Sequence, residues 1–136
     1  MPTTARNHLE TSPLEEDTLT ITLSDRSPVQ IHARDWPVIA RAYDHDGGHY
    51  ESQALETALY TVREHADGRR LVYAWTKAGP GGQRQSFRPS VAGYLLSAKE
   101  ASDSQATVRA IWRVSGVVGW AVTANACVAG LPAEVI

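Results

Sequence analysis

Leu19, Ile21 and Leu23 alternate with Thr18, Thr20, Thr22 and Ser24, the period-two pattern of a strand with one buried face. Ser24, Asp25 and Ser27 ahead of Pro28 supply turn chemistry, and Val29 and Ile31 then alternate with Gln30 and His32. The two runs together predict a β-hairpin. Pro37 can open an element but not continue a helix, and the run Val38 to Tyr43 predicts a short strand. It is expected to stop at Asp44-His45-Asp46-Gly47-Gly48, a loop signal. From Ser52 to Ala66 two periods compete. Leu55, Ala58, Leu59 and Val62 make a helical stripe, while Ala58, Tyr60 and Val62 also fit a strand. Asp67-Gly68 lies between Tyr60-Thr61-Val62-Arg63 and Leu71-Val72-Tyr73-Ala74-Trp75, a hairpin signal that assigns strand to the second half of the segment.

Ala78-Gly79-Pro80-Gly81-Gly82 reads as a flexible loop, and Gln85 to Ser97 as the last strand, ending in Tyr94-Leu95-Leu96. Ser102 with Gln105 three residues on has the form of a capping box. Val108, Ile111, Trp112 and Ser115 then mark the face of a helix from about 103 to 115, which Gly116 and Gly119 interrupt. Val114 to Ala133 carries no charge, but its glycines, Asn125 and Pro132 dilute the hydrophobicity. A second buried helix near 120 to 129 suits it better than a membrane span. The expected fold is α+β: an antiparallel sheet of five or six strands from 17 to 97, followed by C-terminal helices packed on one face. Residues 1–16 are polar and aperiodic and read as a flexible tail, leaving 17–136 as a single domain.

The chain has 136 residues, 43% hydrophobic and 21% charged, proportions of a soluble globular domain rather than of a disordered chain or a disulfide scaffold. Thirteen basic residues against fifteen acidic ones give a net charge of -2, which argues against coating duplex DNA by bulk charge. Cys127 is the single cysteine, and the N-terminus MPTTARNHLE lacks the apolar core of a signal peptide. The expected setting is the cytoplasm, with no membrane partner.

Asp44, His45, Asp46 and His49 are the weak candidates for metal ligands, since carboxylates and imidazoles are what zinc or iron requires. Gly47 and Gly48 lie between the two histidines, and a solvated turn explains the cluster as well. Cys127 sits among Ala126, Val128 and Ala129, which offer nothing to lower a thiol pKa. No serine sits in a nucleophile elbow, and Gly79-Pro80-Gly81-Gly82-Gln83 lacks the Lys-Ser/Thr of a phosphate loop. No catalytic residue and no cofactor are therefore expected.

Cations and rings interleave from Tyr60 to Tyr94, and Arg63, Arg69, Arg70, Tyr73, Trp75, Lys77, Arg84 and Arg88 are the candidates for contact with a partner. On one open sheet face they would suit single-stranded nucleic acid, with rings stacking on bases and cations on phosphates. Ordinary sheet anatomy, with rings in the core and arginines at the edges, is the alternative. The leading expectation is a small non-catalytic interaction protein with a protein partner; four tryptophans in a short chain supply anchor residues. The uncharged C-terminal segment predicts a homodimer through Val117, Trp120, Ala121 and Ala124.

Asp25-Arg26-Ser27-Pro28-Val29, Trp36-Pro37-Val38-Ile39-Ala40, Arg63-Glu64-His65-Ala66-Asp67-Gly68-Arg69 and Leu131-Pro132-Ala133-Glu134 carry a resemblance. Through them the chain resembles a group of small proteins of plasmids and other mobile elements of proteobacteria, over roughly residues 18 to 136. The resemblance implies strand, turn and strand around Asp67-Gly68. It brings no function with it, and makes an inhibitor or counter-defence factor the expectation. Trp120, Ala121, Val122 and Ala124 depart from that group, which tends to carry acidic residues before its Leu-Pro-Ala-Glu end.

Overall fold

The computed structural model describes residues 17–46, 56–78 and 92–132; the tail expected over 1–16 lies outside them. Among the described residues there are six strands: β1 (Thr18–Thr22), β2 (Pro28–His32), β3 (Val38–Asp46), β4 (Glu56–Glu64), β5 (Arg70–Ala78) and β6 (Tyr94–Leu96). The helices are α1 (Ala98–Ala101), α2 (Ala106–Val118) and α3 (Ala121–Ala129), and Ala33–Asp35 forms one 3-10 turn. The fold is α+β with antiparallel strands and C-terminal helices. The strands do not make one sheet of five or six, however. β3-β4-β5-β6 form a four-stranded sheet, and β1-β2 a separate two-stranded ribbon.

The reason for two sheets lies in β5. Leu71, Val72, Tyr73, Ala74 and Trp75 are all buried, and a strand apolar at successive positions needs a cover on both faces. Ala58, Tyr60, Val62, Val72 and Ala74 point to the helices and pack with Ala110, Ile111, Val114, Ala124 and Cys127. Leu59, Leu71, Tyr73 and Trp75 point the other way and pack with Leu19, Ile21 and Ile31 of the ribbon and with Trp36. The helices thus pack on one face, as the sequence predicts, and the ribbon takes the other. Among the described residues a single clip joins ribbon to sheet: Leu23 makes a parallel bridge to Gly93, with Ser24 N–H donating to the Gly93 carbonyl at 2.8 Å and Gly93 N–H to that of Thr22 at 3.2 Å. A Cβ at Gly93 would stand 3.0 Å from the Thr22 oxygen and 3.1 Å from Ile21 Cγ2.

The Asp67-Gly68 hairpin holds, with β4 pairing β5 from Glu56↔Ala78 to Glu64↔Arg70; the turn requires glycine, since Gly68 has φ +96° and a Cβ there would lie 3.3 Å from Ala98 Cβ. Asp44, His45 and Asp46 continue β3 rather than ending it. Of the strand expected over 85–97, Tyr94–Leu96 is β6 and residues up to 91 lie outside the description.

The capping box is at Ser97 and Glu100, opening α1, not at Ser102 and Gln105. The Ser97 hydroxyl accepts Glu100 N–H at 3.1 Å, and Glu100 Oε1 accepts Ser97 N–H at 2.9 Å. Ser102 instead closes α1. α2 buries Thr107, Ala110, Ile111 and Val114 and runs through Gly116 to Val118, so its buried face is rotated from the expected one and Trp112 points outward. It ends at Gly119, φ +82°, and Trp120 follows in the left-handed region at φ +66° to open α3.

Candidate interaction surfaces

The β4–β5 turn and the 3-10 turn meet in a compact polar cluster. Asp67 Oδ1 accepts Arg69 N–H at 3.0 Å and Oδ2 accepts Arg69 Nε–H at 2.8 Å; the backbone bond foremost, and then the guanidinium, hold the Asp67 carboxyl below its ordinary range. The Arg69 guanidinium lies 5.0 Å from the centre of the Trp36 ring, a cation–π distance, and the His65 ring is 5.1 Å from it. Arg63, 3% exposed, donates Nε–H to the Tyr73 hydroxyl and Nη1–H to the Trp36 carbonyl, both at 2.9 Å. Arg70 donates to Glu64 Oε1 at 2.9 Å and to Thr107 Oγ1 at 3.0 Å, tying β5 to α2.

These contacts enclose part of the strip that the sequence singles out. Arg63, Tyr73 and Trp75 are buried beneath the ribbon, so neither ring can stack on a base in this structure. Arg69 and Arg70 are near the surface, each already paired with a carboxylate. The Lys77 side chain, Arg84 and Arg88 lie outside the described residues.

Beside the cluster runs an open groove of about 630 Å³, with Pro37 and Ile39 among its apolar walls and Arg34, Asp35, Glu64 and His65 among its polar ones. Its charges are of both signs. His65 Nδ1 lies 3.1 Å from both the backbone N and the Oδ1 of Asp67. Among the described residues no group of three or more His, Cys, Asp or Glu could hold a metal ion. Asp44 is exposed on β3, while the side chains of His45 and Asp46, and all of His49, lie outside the description.

Cys127 is fully buried, and burial pushes its thiol up to about 12, the opposite of an activated nucleophile. Native protein at about pH 8 is therefore expected to react negligibly with a disulfide reagent, and stoichiometrically once denatured. Rapid labelling of the folded chain would contradict that burial.

Among the described residues four exposed carboxylates have pKa values held down by hydrogen bonds: Asp25 by the Ser27 hydroxyl and N–H, Asp67 as above, Glu100 by Ser97 N–H, and Asp103 by Gln105 N–H and Arg109. Folded values below unfolded ones give stability that is present above the unfolded pKa and lost as pH falls through the folded one. Urea midpoints are expected to be flat down to about pH 5 and to fall below about pH 4. A midpoint that rises on acidification through that range would contradict the assignment.

The outer face of the helical layer is where apolar side chains meet solvent. Trp112 is 42% exposed, Val117 60% and Val122 81%. Between Ser104 and Pro132 the only charged residues are Arg109 and Arg113. Arg109 donates to Asp103 Oδ2 at 2.8 Å, and the Arg113 guanidinium lies 5.9 Å from the Tyr94 ring centre. Of the four residues expected at a dimer interface, Val117 and Ala121 are exposed and Trp120 is half-buried against the core. Ala124 is fully buried against the sheet and cannot contact another molecule. Among the described residues no helix is long and apolar enough to cross a membrane.

Trp112 and Val122 were missed as surface residues. The signal was present: Arg109 and Arg113 bracket Trp112 at helical spacing, while Thr107, Ala110, Ile111 and Val114 supply an uncharged i, i+3, i+4, i+7 stripe. No family model, curated protein or solved structure matches this chain.

Proposed function

We propose that the chain is a non-catalytic interaction protein, an inhibitor or accessory factor of the kind mobile elements carry, acting through the outer face of α2 and α3. The observation that carries it is the exposure of Trp112 and Val117 on α2 and of Val122 on α3. Apolar side chains clustered at a surface mark contact sites, and tryptophan is the most frequent anchor of protein interfaces. The competing use of the sheet as a nucleic-acid platform loses support from the burial of Tyr73 and Trp75. A two-fold dimer through the same layer is the second reading, favoured by Val117 and Ala121 beside Gly116, over which space is open.

The test is capture of partners by the full chain and by the double variant Trp112→Ala, Val122→Ser, with nuclease-treated and untreated host lysate. A protein retained by the parent chain, lost by the variant, insensitive to nuclease and weakly dependent on salt is the expected result. Nuclease-sensitive capture with a steep salt dependence would overturn it. Light scattering over a wide concentration range separates the dimer, which Val117→Ser should convert to monomer.

A further inference from the structure

We propose that the β1–β2 ribbon is a hinged cover, opening as a unit from the sheet while β3–β6 and the helices remain folded. Three observations on the layer between ribbon and sheet carry it. First, among the described residues the ribbon shares no continuous ladder with the sheet; its strand-level link there is the bridge from Leu23 to Gly93. Second, Thr61 Oγ1 and Trp75 Nε1 are buried with no hydrogen-bond partner. Both point to the ribbon side, since Thr61 is opposite Tyr73 and Trp75 opposite Leu59. A polar atom sealed without a partner favours any state that returns it to water. Third, the Arg63 guanidinium, almost wholly buried, is held by two neutral acceptors and, among the described residues, by no carboxylate. One of those acceptors is the Trp36 carbonyl, in the segment between β2 and β3 where a hinge must lie.

Opening therefore sets the rehydration of Thr61 Oγ1, Trp75 Nε1 and the Arg63 guanidinium against the hydrogen bonds of Arg63 and the apolar contacts of Leu19, Ile21 and Ile31. It leaves the β3–β6 ladder and the helix-side core untouched. The opened state would present Arg63, Tyr73 and Trp75 together, the cation–aromatic face that the closed state seals. Segments that move in binding are drawn from the parts of a fold that open below global unfolding.

Hydrogen exchange on the full chain, resolved by residue, tests this. Amides across residues 18–32 are expected to exchange at one common rate, at least about tenfold faster than those at the centre of β4 and β5. Thr61→Val, which keeps the shape and removes the orphaned hydroxyl, should slow that common rate about tenfold. Gly93→Ala, whose Cβ pushes on Thr22 and Ile21, should speed it by a similar factor. Ribbon amides that exchange no faster than those of β4 and β5, showing that the ribbon opens only in global unfolding, would overturn the proposal. So would a ribbon rate unchanged by both substitutions.

Discussion

Arg63→Ala is expected to lower the unfolding free energy by about 3–4 kcal/mol, read from urea midpoints at constant slope. The substitution strips hydrogen bonds from the Tyr73 hydroxyl and the Trp36 carbonyl, both inside the protein. It also empties the volume of a long stem beside Leu71, which faces Arg63 across the β4–β5 ladder. A buried group left without its partner loses its full desolvation cost, and a cavity adds to it. Arg63→Met restores most of the stem but neither bond, and is expected to recover about half of the loss. A loss below about 1 kcal/mol for Arg63→Ala would mean that the cost of dehydrating the guanidinium cancels what its two bonds supply.

Tyr60→Ala is expected to be as damaging, at about 3–5 kcal/mol, and Tyr60→Phe to account for about 1–2 kcal/mol of that. The Tyr60 ring is fully buried at the centre of β4. Its hydroxyl donates to the Gly119 carbonyl, the residue that closes α2 before Trp120 turns back in a left-handed conformation. Burial pushes the phenol pKa up, so the group stays a donor through the neutral range. The phenylalanine variant keeps the packing and frees the corner. Its signature is a modest stability loss with faster amide exchange at the start of α3, and a stability equal to the parent would show that the corner holds itself.

Local chemistry was legible in the sequence wherever one period or one turn dominated. Leu19, Ile21 and Leu23 marked β1, and Asp67-Gly68 outweighed the helical stripe through Leu55, Leu59 and Val62, because a two-strand turn constrains both of its flanks. The start of the helical region was misplaced because Ser102 and Gln105 repeat the spacing of Ser97 and Glu100, and only the backbone decides which pair reciprocates. The division into ribbon and sheet was not legible. Alternation states that a strand has an inner face, but not which neighbour covers it. Whether the rings face outward or into the core was not legible for the same reason: Tyr73 and Trp75 fit either reading until Leu19, Ile21 and Ile31 are known to lie over them.

The clip between Leu23 and Gly93 also bears on the order in which the protein is made. The ribbon leaves the ribosome ahead of the sheet: the strand it covers follows some 40 residues later, on the spacing of Ile31 and Tyr73, and the clip about 70 residues later, on that of Leu23 and Gly93. Contacts so distant along the chain close slowly, since the entropy of the intervening loop is lost before they form. A two-stranded hairpin is marginal in water by itself, so Leu19, Ile21 and Ile31 stay uncovered during much of synthesis. The interval in which the emerged chain ends between His32, where the ribbon is complete, and Gly93, where the clip forms, is the one most exposed to aggregation and to chaperones.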